Sequence, residues 1–222
     1  MELANMELSS FASVVHAMEP SRHSPYNLHH GFLVSRGVVP NDWQVRETEI
    51  HMSSSRIVYD NGITLLMDGR TFQAHQDLGL EWDKGNETTG LVVKYLVSVS
   101  QDAFSAGSIH WTAHIPHENS QEWIASHFLN PEVALHDWEH LRPNVSFQFE
   151  IDEVEIYLAL SSIQVNEENG ESAGFITVGC GINKAPFTDC DDLVAWLSEW
   201  RSHERLSRRA LASLMGENVY AE

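Results

Sequence analysis

The residues best suited to chemistry are histidines. His136, Glu139 and His140 form an H-x-x-E-H pattern, in which two imidazoles four residues apart bind zinc and the intervening glutamate acts as base. That chemistry needs a stable helix holding both imidazoles on one face, and Pro131 and Pro143 leave room for about three turns at ~3.6 residues each. The same stretch also reads as a short surface helix with Leu135 and Trp138 turned inward. His110 and His114 fall on one side of an alternating run, with His117 beyond them, and offer a second pair of metal ligands. Their other reading is the solvent-facing or helix-facing side of a half-buried strand. Glu139 is therefore the candidate catalytic group, and His110, His114, His136 and His140 are the candidate metal ligands of a metal-dependent hydrolase.

Other chemistries lack essential pieces. Gly179-x-Gly181 has no third glycine and leads to Pro186 rather than a helix start, so neither a phosphate loop nor a dinucleotide cofactor is expected. There is no G-x-S-x-G elbow, and neither Cys180 nor Cys190 has a local context that marks a nucleophile. The acidic pairs Asp152-Glu153, Glu167-Glu168 and Asp191-Asp192 fall in a turn, a loop and a helix start, where carboxylates are favoured locally. They could also bind a cation or a basic partner.

The elements that must position these groups are mostly strands. Leu8, Phe11, Val15 and Met18 at helical spacing predict an N-terminal helix within residues 1–20. Tyr26, Leu28, Phe32 and Val34 suggest a first strand, with Gly31 a bulge. Ile57–Tyr59 and Ile63–Met67 flank Asp60-Asn61-Gly62, a hairpin signal for a type I′ turn, and Asp68-Gly69 turns the chain into Arg70–His75. A helix follows over Thr88–Val99, with Val92, Tyr95, Leu96 and Val99 on one face. Ile109, Trp111, Ala113 and Ile115 then alternate as a half-buried strand, and Asn119 with Glu122 starts a helix carrying Trp123, Ile124 and Phe128. Val145–Ile151 and Val154–Leu160 form a second hairpin, and Ile176, Val178, Cys180 and Ile182 line a last strand. Asp189 or Thr188 caps a long final helix whose buried side is Leu193, Leu197, Trp200, Leu211 and Leu214. Arg201, Arg205, Arg208 and Arg209, with Glu199 and Glu204 between them, read as a solvated face making i,i+4 pairs.

The 222 residues, with seven Trp and nine Phe, suffice for a sizeable core in a single domain. The formal net charge of -19 is unevenly spread: residues 77–200 carry 21 acidic side chains against Lys84, Lys94, Arg142 and Lys184. Such a field repels nucleic acid and anionic membrane and attracts cationic partners. Two cysteines, ten residues apart, predict no disulfide framework. The N-terminal text lacks the basic and apolar regions of a signal peptide, and no apolar stretch reaches the ~20 residues that span a bilayer, which predicts a cytoplasmic protein.

Val58-Tyr59-Asp60-Asn61-Gly62-Ile63-Thr64-Leu65-Leu66, the strand and helix after it, and the last strand feeding a Trp-containing helix resemble a group of sporadically distributed, uncharacterised bacterial α+β proteins of about this size. The resemblance covers most of residues 26–215 in element order, with specific residues matching only in that hairpin and the final helix. It implies an α+β fold and a bacterial cytoplasmic setting, and it carries no catalytic residue.

The expected fold is thus α+β: a mainly antiparallel sheet from two meander-plus-helix halves, residues 21–105 and 106–222, with helices on one face and a long C-terminal helix. The expected function is a non-enzymatic protein-interaction module of accessory, immunity or inhibitor type. Its acidic surface, with Glu167, Glu168 and Glu171 as partner-binding residues, would meet a basic protein.

Overall fold

The computed structural model describes residues 6–17, 24–79, 86–99, 104–129, 143–151, 153–166 and 172–216. Among these residues the strands are β1 (Glu7–Ala17), β2 (Val45–Ile50), β3 (Ser54–Tyr59), β4 (Ile63–Asp68), β5 (Thr71–Asp77), β6 (Phe104–Pro116), β7 (Asn144–Ile151), β8 (Val154–Asn166) and β9 (Ser172–Lys184). The helices are α1 (His30–Ser35), α2 (Thr88–Ser98), α3 (Ser120–Phe128), α4 (Cys190–Ser198) and α5 (Trp200–Leu214). All nine strands join one antiparallel sheet in the order β2-β3-β4-β5-β1-β6-β9-β8-β7. The fold is α+β, with sheet outweighing helix.

Residues opposite each other in an antiparallel ladder share a face, so the register defines both surfaces of the sheet. Phe11, Trp111, Cys180, Leu158 and Phe147 stand in one line across β1, β6, β9, β8 and β7. Above this line sit the helices. Trp111 is 1% exposed and its indole N–H donates to Ser207 Oγ on α5 at 3.0 Å, so the largest buried side chain keeps a polar partner. Ser13 on β1 is fully buried yet lies 2.9 and 3.1 Å from the hydroxyls of Thr88 and Thr89 on α2. Ser120 on α3 reaches Ser162 on β8 at 2.7 Å. Gly107 on β6 leaves room for α4: a Cβ there would lie 2.7 Å from Leu193 Cδ1 and 3.1 Å from Trp196.

The hairpin at Asp60–Gly62 forms as expected, but its loop has three residues and only Gly62 is left-handed, at φ 86°. It therefore belongs to the type I turn plus G1 bulge class rather than type I′. A side chain at Gly62 would also meet Asp77 O at 2.7 Å. Asp68 Oδ1 accepts the backbone N–H groups of Arg70 and Thr71, which closes the next turn.

Three expectations are overturned. The segment read as an N-terminal helix is β1, a central strand paired to β5 on one side and β6 on the other. Its apolar spacing fits a helix, but Phe11, Ser13 and Val15 are the inward residues, at period two, and serines with adjacent β-branched Val14 and Val15 disfavour helix. The segment read as a first strand is instead a 3-10 turn, Pro25–Asn27, followed by α1, because His29 Nδ1 accepts the N–H of Phe32 and caps the helix. The long C-terminal helix divides at Glu199 into α4 and α5. Leu193, Leu197 and Leu211 are buried, whereas Trp200 and Leu214 are half-buried, with the Trp200 ring set edge-on to Phe11 at 6.1 Å. β2 adds an edge strand that the alternation pattern did not suggest, since all six of its residues are exposed.

Candidate functional site

The second face of the sheet carries no helix among the described residues, and its register brings distant polar groups together. One line across it runs His75, Ala12, His110, Gly181, Tyr157 and Gln148, over β5, β1, β6, β9, β8 and β7. The next runs Val14, Ser108, Asn183, Glu155 and Glu150. Small residues make this surface hollow. Ala12 floors a depression of about 330 Å³ walled by Gln73, His75 and His110. Gly181 lets the His110 ring lie flat on β9, where a Cβ would stand 3.1 Å from Nδ1.

The larger hollow, about 690 Å³, opens at the end of the same face. Its charged and polar lining includes His16, Gln148, Glu150, Glu153, Glu155 and Lys184. The β7–β8 hairpin places Glu150 directly opposite Glu155, and Glu153 occupies the turn at φ 64°. Gln148 Nε2 donates to Glu155, and Asn183 Nδ2 donates to it at 3.4 Å, so this carboxylate is held in place. Lys184 lies 3.7 Å from Glu153 and 5.8 Å from the centre of the Phe187 ring. Three carboxylates thus share a water-open cavity with one ammonium and His16, an arrangement that attracts cations.

Two imidazoles of the face, His110 and His75, are biased toward neutrality. Burial pushes His110 below the ordinary histidine range, and the neighbouring His75 and His16 push it further. Burial lowers His75 as well. His110 Nε2 lies 2.9 Å from Ser108 Oγ, and His75 Nε2 lies 3.2 Å from Gln73 Oε1. Ser108 and His110 have the contact a nucleophile and base require, yet the Nδ1 side of the ring faces Gly181 rather than an orienting carboxylate. On the helix side, burial drives the Cys180 thiol up to about 12 and raises Cys190 too, which argues against a thiolate nucleophile.

The sequence-derived candidates fare unevenly. His110 and His114 do share the open face, but four residue steps along the strand set them ~13 Å apart, too far to share one ion directly. Each has its own hydroxyl partner: Ser108 for His110, and Thr177 for His114 at 3.0 Å. Among the described residues no group of three or more His, Cys, Asp or Glu could hold a metal. His136, Glu139 and His140, and Glu167, Glu168 and Glu171, lie outside the described residues. Asp191 and Asp192 sit in the first turn of α4, where the Asp192 N–H donates to Asp189 Oδ1 and its carboxylate accepts from Thr188, a helix-capping role. On α5, Arg208 makes the expected i,i+4 pair with Glu204 at 2.7 Å. Glu150 and Glu155 were detectable as partners from the hairpin alone, whereas His16, His75 and Asn183 reach the site only through long-range register.

The chain matches no family model, and no curated protein matches it. No helix among the described residues is long and apolar enough to cross a membrane.

Proposed function

We propose that this chain is a non-enzymatic protein-interaction module whose second sheet face, at its acidic end, receives a basic protein partner, in an accessory, immunity or inhibitor role. The observation that carries the reading is the convergence of Glu150, Glu153 and Glu155 on an open cavity of about 690 Å³. Carboxylates arranged there raise the local concentration of cationic groups and favour charge-complementary contact. The net charge of -19 points the same way and disfavours nucleic acid. The metal-dependent hydrolase is the second reading: His110 and His114 stand too far apart to act as a ligand pair, and His136, Glu139 and His140 lie outside the described residues. A cytoplasmic bacterial setting accords with the free thiols of Cys180 and Cys190.

The strand order supports reading the sheet as two meander-plus-helix halves. β1 lies beside β5, the last strand of the first meander, and β6 beside β9, the last strand of the second. A helix follows each meander, α2 after β5 and α4 after β9. The halves are those expected from the sequence, residues 21–105 and 106–222, and the acidic cavity belongs chiefly to the second.

The test is co-purification from the native host followed by association rates of the isolated pair against ionic strength. The rate should fall with salt, and the triple reversal Glu150→Lys, Glu153→Lys, Glu155→Lys should lower it by at least about tenfold. A rate indifferent to both would overturn the electrostatic reading.

A further inference from the structure

The two outermost strands of the sheet differ in how their edges are protected. β2 closes one side and β7 the other. β2 is exposed at all six residues and carries Arg46, Glu47 and Glu49, with Glu47 paired to Arg56 at 3.2 Å. Charge of this kind is how natural edges resist adventitious pairing. β7 is built otherwise: Val145, Phe147, Phe149 and Ile151 are half-buried, while Asn144, Ser146, Gln148 and Glu150 are exposed. Its outer edge meets no further strand among the described residues.

Both sides of that edge offer something to an incoming chain. Toward the helices, a mainly apolar groove of about 340 Å³ lies between β7 and α5, lined by Phe149, Ile151, Leu206, Ala210 and Leu214 together with Arg209 and Ser213 of α5. Toward the open face, Gln148 and Glu150 border the acidic cavity with Glu153 and Glu155. We infer that β7 is a strand-addition site: an extended basic segment of a partner protein pairs along β7, placing apolar side chains in the groove and lysines or arginines against Glu150, Glu153 and Glu155.

The inference rests on the interaction-module reading above and names the chemistry of its partner. Successive residues of a strand point to opposite faces, so a single alternating apolar–basic segment satisfies groove and carboxylates together. Main-chain hydrogen bonds to the edge supply affinity, and the alternation supplies specificity. A second copy of this chain is the poorer occupant, because each copy carries -19 and opposes the approach of another.

The probe is a synthetic nonapeptide of alternating lysine and valine, compared with a block peptide of the same composition and with two N-methylated versions, each modified on one alternate set of amides. Binding is followed by fluorescence anisotropy, and amide exchange locates it. The alternating peptide should bind at least about tenfold tighter than the block peptide. Methylation of one amide set should remove binding and of the other should spare it, since only one set faces the edge. Amides of residues 144–151 should gain protection while those of residues 45–50 do not. Glu150→Lys should weaken the complex and Glu47→Lys, on β2, should leave it intact. Salt-sensitive binding that ignores alternation and methylation would overturn strand addition while leaving the acidic-surface reading in place. Binding by neither peptide would overturn both. Dimerisation of the protein alone in sedimentation, with β7 amides protected, would assign the edge to a second copy and overturn the proposal.

Discussion

Neighbouring residues of β6 live in two different environments. Trp111 points into the helix-covered core, 1% exposed and bonded to Ser207, whereas His110 points to the face that carries no helix among the described residues and leans over Gly181. The same contrast holds for glycines. Gly107 faces α4, where a methyl would collide with Leu193, while Gly179 on β9 faces space that no atom of the described residues occupies within 4 Å. Among the described residues, one face of this sheet is filled to close packing by helices, and the other is a mixed surface on which His75, His110, Asn183 and Glu155 stand among Val14, Tyr157 and Ile163. A fold needs the first for stability. It gains little stability from the second, which makes the second the place to look for function.

The contrast predicts a graded series of effects. Trp111→Ala should be the most damaging change, costing roughly 3–5 kcal/mol in urea unfolding, because it removes a buried aromatic and the hydrogen bond its indole N–H donates to Ser207. His110→Ala, one residue away, should cost about 1 kcal/mol or less. Similar losses at both positions would break the distinction between faces. Gly107→Val should come next, at about 1–3 kcal/mol, since Leu193 and Trp196 must shift. Gly179→Val should be neutral or stabilising, because a strand glycine is replaced by a β-branched residue in open space.

A smaller effect should appear in pH. His110, His75 and His203 all have folded-state pKa values lowered by burial, so below the ordinary histidine value near 6.5 the unfolded chain binds more protons than the folded one. Their contribution to stability is full above 6.5 and declines as the pH falls from there toward their folded values. Melting temperatures between pH 7.5 and 5.5 should therefore drop, and His110→Gln should flatten the profile. The smallest effect is expected from Glu150→Lys, which should leave the melting temperature almost unchanged because the side chain is exposed.

Much of the covered face was legible in the sequence because its signal is local. Ile109, Trp111, Ala113 and Ile115, or Ile176 through Ile182, alternate within a single strand, and the Val92–Leu96 stripe of α2 needs no partner to be seen. β1 escaped because a buried serine interrupts its period-two pattern. Ser13 is tolerated in the core only through hydroxyls about 75 residues later, on α2, which no local window contains. The α1 segment escaped for a related reason: a histidine cap is a rarer start signal than Ser, Thr, Asp or Asn. The open-face site was half legible. Glu150 opposite Glu155 follows from a two-residue hairpin loop, but His16 and Asn183 join them only through β1, β6 and β9, and that register is a property of the whole sheet.

The location of charge on this chain should matter more to its partner than the amount. Two triple variants carry the same net charge: one reverses Glu150, Glu153 and Glu155 to Lys on the open face, the other reverses Glu118, Glu122 and Glu199 before α3, on α3 and at the α4–α5 junction. Affinity for the co-purified partner, measured by calorimetry at physiological salt, should fall at least about tenfold further in the open-face variant than in the other. Equal losses in the two would mean that the partner responds to overall charge, and the open face would lose its claim to be the binding surface.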